Sequence, residues 1–270
     1  MLPSWNDTKN KKAIIDFVER VTIKSSKDFV PESERIAVFD NDGTLWTEHQ
    51  TMVEGFFAFD RIKEMIAKDP SMKDRQPFKA FLEKDLKTIH ELGKKGIIEF
   101  VFKSHEASTQ DEFRNIAAEW FDKARHPYFK QPYTSCIYQP QIELLNYLRS
   151  NGFKIFIVTG GGIVFVRTVA EKIYGIPAEQ VVGSSGKTKF EFNEKKVIVS
   201  RLGELNSFDD REEKVVNINL HIGRRPIFAF GNSDGDLAMM QYVLSGDGPR
   251  MAMLLHHDDA RREFAYDKDF

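Results

Sequence analysis

Two aspartates two positions apart, Asp40 and Asp42, close the apolar run of residues 36–39 in the stretch IAVFDNDGTLWTE. Residues i and i+2 of an extended chain face the same way, so both carboxylates can reach one ligand if the chain turns at Gly43; along an extended strand they stand about 6 Å apart. Crowded carboxylates repel, and taking them out of water is costly unless a cation or a proton compensates. A hard divalent ion with oxygen ligands, most simply Mg²⁺, is the natural compensator, and a place that holds Mg²⁺ suits a phosphoryl group. There, one carboxylate could attack phosphorus. The other could protonate the leaving oxygen and later activate water, a division of labour that requires two carboxylates in unlike environments.

Two more apolar runs end in polar turns, FKIFIVTGGG and RPIFAFGNSDGD. In an open parallel sheet the carboxyl ends of the strands line the crevice where ligands bind, so Asp40, Asp42, Thr159, Asn232, Asp234 and Asp236 are expected to converge. Gly160, Gly161 and Gly162 free backbone N–H groups at a helix start to meet phosphoryl oxygens, and Thr159 adds a hydroxyl. The segment GSSGKT, Gly183 to Thr188, has the look of a P-loop, but its first glycine would fall at position 181, which is Val. The following KFEF alternates like a strand, so the P-loop reading is rejected.

The elements that must position these residues follow from periodicity. NDTKNKKAIIDFVERVTIKSS reads as a helix capped by Asn6 or Asp7, with Ile14, Phe17, Val18 and Val21 on one face. IAVFD reads as a strand buried on both faces. Between residues 50 and 130, the segments FFAFDRIKEMIAKDP, FKAFLEKDLKTIHELG and TQDEFRNIAAEWFDKARHP all carry helical periodicity, and Phe56, Phe57 and Phe59 read as the core of that block. A helix closed by Gly152 precedes the second strand. KTKFEFNEKKVIVSRL alternates around Asn193-Glu194 as a hairpin. LAMMQYVL reads as a helix and RMAMLLHH as a further strand. Strands alternating with helices imply an α/β fold with a parallel sheet, and the helical block is an inserted module.

Composition excludes several classes. The chain has 270 residues, 41% hydrophobic and 30% charged, with net charge −2, so no electrostatic case exists for nucleic acid or an anionic membrane. A single cysteine, Cys136, rules out an internal disulfide framework, and no Cys/His cluster has zinc spacing. No apolar run approaches the ~20 residues that span a bilayer, and the first residues have no signal-peptide apolar region. The expectation is a cytoplasmic protein, or an exported one in its mature form.

FDNDGT, VTGGG and GNSDGD, in this order on successive strands, resemble the haloacid dehalogenase (HAD) superfamily of phosphatases, and in particular its phosphoserine-phosphatase-like members with a C1 helical cap. The resemblance implies a Rossmann-like parallel sheet with helices on both faces over residues 1–48 and 136–270, an inserted all-helical C1 cap over 49–135, and a small β-hairpin. It implies Asp40 as nucleophile, Asp42 as general acid/base, and Thr159 as a phosphate ligand, beside the N–H groups of Gly160 and Gly161 that the turn itself offers. Mg²⁺ would be held by Asp40, the Asp42 backbone carbonyl and a residue of the third motif. Dehalogenases and P-type ATPases lack an Asp at the second position, so Asp42 favours phosphate-ester hydrolysis.

The superfamily also expects a lysine before the third motif; Lys214 is preferred here, with Arg224 and Arg225 as competitors. In one departure, Asn232 stands where the family has a metal-binding Asp. It offers a carbonyl oxygen but one negative charge fewer, which predicts weaker Mg²⁺ binding with Asp236, ahead of Asp234, sharing the role. In capped relatives the region after the first motif meets the leaving group. Glu48 could pair there with an ammonium, Trp46 could offer a cation–π face, and Arg61 could meet a carboxylate. The function expected is Mg²⁺-dependent hydrolysis of a small phosphorylated metabolite through an aspartyl-phosphate, under a cap that shuts out large substrates. The alternatives are a phosphotransferase using the same intermediate, or a catalytically weak phospho-ligand-binding homologue.

Overall fold

The computed structural model describes residues 1–106, 109–193 and 196–266. The chain runs through α1 (Lys9–Thr22), β1 (Ile36–Phe39), α2 (Val53–Lys68), α3 (Phe78–Glu83), α4 (Leu86–Ser104) and α5 (Gln110–Lys123). It continues through α6 (Gln139–Ser150), β2 (Lys154–Gly162), α7 (Ile163–Tyr174), β3 (Val181–Asn193), β4 (Lys196–Ser207), α8 (Glu212–His221), β5 (Phe228–Gly231), α9 (Leu237–Leu244) and β6 (Met251–Leu254). The strands hydrogen-bond in the order β4-β3-β2-β1-β5-β6. All neighbours are parallel except the pair β3–β4. This is the α/β fold expected.

The order reverses at β1: β2 and β3 follow on one side, β5 and β6 on the other. That reversal is the topological switch point, where open α/β sheets leave a crevice beyond the carboxyl ends of the strands. Register brings the polar turns together there. Phe39 lies opposite Ile157 on one side and Phe230 on the other, so Asp40, Val158-Thr159 and Gly231-Asn232 leave the sheet side by side.

β1 tolerates no polar residue because both its faces are covered. Ile36 and Val38 pack with Phe156, Val158 and Ala229 of the sheet, Ile218 of α8 and Met239 and Val243 of α9. Phe39 faces the other way, its ring stacked 6.0 Å from Phe230 and tilted 5.7 Å from Phe228, which in turn meets Phe17 of α1 at 6.1 Å. Burying such side chains contributes about 1.5–3 kcal/mol each. Helix α1 buries the expected Ile14, Phe17, Val18 and Val21, but its N-cap is Thr8 instead of Asn6 or Asp7.

The chain divides into two compact units. One comprises Met1–His49, Arg125–Ser184 and Phe208–Phe270; the other comprises Gln50–Ala124 and Ser185–Ser207. This division departs from the sequence boundaries in two places. The hairpin belongs with the helices: Thr109 pairs with Ser200, and the Arg201 guanidinium donates to Gln110 Oε1 at 2.8 Å while lying 4.6 Å over the Phe113 ring. The helical unit is therefore not all-helical. Residues 125–135 fall in the sheet-bearing unit, where the Tyr128 and Phe129 rings meet Phe264 at 4.8 and 5.9 Å. The hairpin ladder closes with Asn193 opposite Lys196; the expected turn residue Glu194 lies outside the described residues.

Within the helical unit, the segment expected as one helix breaks at Lys84 (φ +55°) into α3 and α4. The Asp85 carboxylate, which accepts from the Thr88 N–H at 3.2 Å, caps the second. Ala58, Ile62, Met72, Phe78 and Phe100 form its core. Among the described residues no helix is long and apolar enough to cross a membrane.

Candidate active site

The chain leaves β1 at Asp40, whose N–H still donates to Phe230 O at 2.9 Å, and then turns back on itself. The Asn41 carbonyl accepts from the N–H groups of Thr44, Leu45 and Trp46, and Gly43 donates to Trp46 O at 2.8 Å. Gly43 has φ +73°, and a Cβ there would come within 2.1 Å of Asn232 Nδ2 and 2.3 Å of Glu48 Oε1. Only glycine fits that conformation and that approach. The turn buries both aspartates: Asp40 is 6% and Asp42 8% exposed.

Lys214, on α8, settles against this turn. Its ammonium donates to Asp40 Oδ1 at 2.7 Å, Asp236 Oδ1 at 2.6 Å and Val158 O at 3.0 Å, so each of its three hydrogens has an acceptor. Burial opposes the charge, but Asp236 and Asp40 outweigh it and raise the Lys214 pKa. Its competitors are elsewhere: Arg224 is exposed and Arg225 donates to Tyr242 O and Ser245 Oγ. Burial, with repulsion from Asp236, pushes the Asp40 carboxyl well above the usual carboxylate range, and Lys214 offsets this only in part.

The third strand end is organised by Asp236. Its Oδ2 accepts from the N–H groups of Asn232 and Ser233 at 2.9 and 3.1 Å and from Ser233 Oγ at 3.3 Å, while Oδ1 takes Lys214. Sequence analysis made Asp236 a metal ligand beside Asn232; the structure engages both its oxygens in aiming Lys214 and closing the turn. Asp234, the other candidate, pairs with the half-exposed Arg211. Asn232 donates from Nδ2 to Glu48 Oε1 at 2.6 Å, and its Oδ1 accepts from Thr44 Oγ1 at 3.3 Å.

At the second strand end Thr159 is fully buried and its Oγ1 accepts from the Gly161 N–H at 3.0 Å. The Gly160 carbonyl accepts from Ser184 Oγ at 2.7 Å. Gly162 is the N-cap of α7, so the TGGG turn does open a helix. Gly183–Thr188 lies in strand β3 and not in a loop that opens a helix, in keeping with rejection of the P-loop.

Two expected substrate contacts find different surroundings. Glu48 is 6% exposed and folds under the turn, where its Oε1 accepts from Asn232 and, at 3.1 Å, from the Tyr266 hydroxyl. Arg61 belongs to the helical unit. There it pairs with Glu64 at 3.2 Å and lines a cavity of 570 Å³ with Phe57, Asp60 and Trp120. Trp46 is buried, and its indole N–H donates to Asp42 Oδ1 at 2.9 Å.

Sequence reasoning missed Trp46 as the partner of Asp42, the Glu48–Asn232 bond, and Asp209. This last carboxylate is fully buried: Oδ1 accepts from Asn217 Nδ2 at 2.9 Å, Oδ2 has no partner, and burial raises it to about 6 with Lys214 partly offsetting. The signal for the Glu48 bond was available: an amide among carboxylates must find an acceptor for its NH₂.

The donor set suits a hard cation. Burial and acid neighbours outweigh the single lysine at Asp40, so positive charge is in deficit, and the oxygens at hand are carboxylate, backbone carbonyl and side-chain amide, as Mg²⁺ prefers. Among the described residues no group of three or more His, Cys, Asp or Glu is arranged to hold a metal. A set of one carboxylate, one backbone carbonyl and one Asn would not form such a group.

The haloacid dehalogenase-like hydrolase family model matches residues 37–241, which take in all three strand ends and most of the chain. The protein belongs to that family and is a hydrolase of the haloacid dehalogenase type with an α/β fold. Among solved structures, its fold is similar to that of a functionally unknown protein from Anaerococcus prevotii, with TM-score 0.51 and 18% identity, covering 92% of this chain and 85% of that one. It is similar also to a protein of unknown function from Bordetella pertussis, with TM-score 0.50 and 16% identity over 77% of this chain and 86% of the other. No curated protein matches the chain.

Proposed function

We propose that this hydrolase is a Mg²⁺-dependent phosphatase that cleaves a small phosphorylated metabolite through an aspartyl-phosphate on Asp40. The observation that carries the reading is the Lys214 ammonium 2.7 Å from the Asp40 carboxylate. It supports the reading by holding a buried carboxylate at the switch point of the sheet, with a second carboxylate two residues on and held separately by Trp46. Asp40 attacks phosphorus, the ester P–O bond breaks, and Asp42 gives its proton to the leaving oxygen. Asp42 then takes a proton from water as that water attacks phosphorus, the bond to Asp40 breaks, and inorganic phosphate leaves. Lys214 stabilises the charge on the phosphoryl oxygens, while Thr159 with the N–H groups of Gly160 and Gly161, at the end of β2 just before α7, receives them. Asp40, the Asp42 carbonyl and Asn232 Oδ1 would hold Mg²⁺, which supplies further neutralisation of phosphoryl charge. The inserted helical unit, which follows the catalytic turn in the chain, we assign to choosing the leaving group, with Arg61 as a candidate for a carboxylate.

The test is phosphate release from a generic aryl phosphate by wild type and Asp40→Asn, each with Mg²⁺ and with EDTA. Release that needs both Asp40 and Mg²⁺ is the expected result; release undiminished by Asp40→Asn or by EDTA contradicts the reading. Asn232 favours one rival, a phosphate-binding homologue with little turnover. That rival predicts that inert wild type still binds tungstate.

A further inference from the structure

We infer that Glu48 and Asn232 act together as a divided replacement for one metal-binding carboxylate: Asn232 supplies the oxygen, and Glu48 supplies the charge and the orientation. The inference deepens the Mg²⁺-dependent reading and rests on it.

Asn232 can turn either its carbonyl or its NH₂ toward the strand-end acids, and only the carbonyl helps hold a cation. The structure fixes which. Nδ2 is tied to Glu48 Oε1 at 2.6 Å, and Oδ1 is left on the side of Thr44. Glu48 is in turn held from behind by Tyr266, 3.1 Å away, whose ring stacks on His257 at 4.5 Å; His257 Nε2 reaches Gly43 O at 2.7 Å. The Asn232–Glu48 bond passes directly over Gly43, where a Cβ would collide with both side chains. The absence of a side chain at 43 is therefore what allows the bond. With Asn at 232 the motif has lost a negative charge. A buried carboxylate one hydrogen bond away returns it, so Glu48 is a positioning residue that acts on the cation through Asn232.

This arrangement makes the effects of substitution depend on one another. Glu48→Gln can still accept from Asn232 through its own carbonyl, so it removes charge while keeping the bond. Asn232→Asp alone, which simple restoration of the motif would favour, puts two carboxylates at hydrogen-bond distance in a buried place, where like charges repel. Asn232→Asp with Glu48→Gln exchanges the two groups and restores both charge and bond.

The experiment uses the full chain: Mg²⁺ titration by calorimetry, and thermal melting in EDTA, for wild type, Glu48→Gln, Asn232→Asp and the double variant. Glu48→Gln is expected to weaken Mg²⁺ by about 10-fold, the usual scale for a partner that supports a ligand. Asn232→Asp should melt below wild type in EDTA, and the double variant should regain both wild-type melting and wild-type affinity. Wild-type affinity in Glu48→Gln, or tighter binding with undiminished melting in Asn232→Asp alone, overturns the inference. Absence of Mg²⁺ uptake by wild type overturns the metal-dependent reading and the charge role of Glu48 with it. Loss of melting in Asn232→Asp and its rescue by Glu48→Gln test the pairing separately, in the absence of metal.

Discussion

In the helical unit the buried Glu54 carboxylate stands 2.9 Å from His105 Nε2 and within electrostatic reach of the Arg201 guanidinium, one acid facing two basic side chains. At the strand ends of the other unit Asp40, Asp42, Glu48, Asp209 and Asp236 are all buried, and one buried lysine, Lys214, contacts Asp40 and Asp236. Both places pay desolvation; they differ in what balances it. A buried acid with an imidazole and a guanidinium beside it reads as part of the packing around Phe57 and Phe113, whose rings meet His105 at 5.9 and 4.5 Å. A buried group of acids with too little positive charge is stable only with something added. Perturbed, under-compensated carboxylates in a crevice are what function leaves behind.

The contrast can be broken at Lys214 first. Lys214→Met strands two buried carboxylates, so it is expected to lower stability by about 3–5 kcal/mol, read by denaturant unfolding at neutral pH, and to abolish phosphate release. Next is Trp46→Phe, which keeps the ring and removes the N–H donated to Asp42. A 10- to 100-fold fall in kcat/KM, about 1.4–2.7 kcal/mol, is expected in steady-state assays, with unchanged kcat/KM arguing that Asp42 needs no such anchor.

Asp209→Asn sharpens the comparison by sign. The folded-state value of about 6 lies above the ordinary 3.8, so stability is fully present while the group is protonated and is lost as pH rises from about 4 through 6. The Asn variant escapes this loss: it should exceed wild type by about 1–3 kcal/mol at alkaline pH, the gain vanishing in acid, as unfolding curves across pH will read. The smallest effect is expected from the matched pair. Glu54→Gln should cost about 1 kcal/mol, a lowered melting temperature where Asp209→Asn shows a raised one.

Much of this was legible in the sequence because the chemistry is local. IAVF has to be buried on both faces, and the acids that end it announce a site. The strand-helix alternation implies the sheet, while the lysine came only from the family resemblance, which set Lys214 ahead of the arginines at 224 and 225. What escaped depends on where the chain turns. Gly43 at positive φ folds residues 44–48 back under the aspartates, so Trp46 meets Asp42 and Glu48 meets Asn232; no periodicity signals such a return. Sequence reasoning set Asp236 beside Asn232 as a metal ligand; what no sequence pattern shows is that its short turn also directs its oxygens to Lys214 and the backbone. The hairpin's attachment has no periodic signal: β3 and β4 are strands of the six-stranded sheet, and Arg201 also ties the hairpin to Gln110 of α5.

The central claim is that the strand-end acids call for a bound cation, and melting of wild type and Asp40→Asn in EDTA and in Mg²⁺ tests it most directly. Burial and Asp236 raise the Asp40 pKa further than Lys214 lowers it, so a neutral, isosteric Asn should relieve the site. The account predicts a higher melting temperature for Asp40→Asn than for wild type in EDTA, and a Mg²⁺-dependent rise in wild type that the variant lacks. A variant that melts lower in EDTA, or that responds to Mg²⁺ as wild type does, would contradict it.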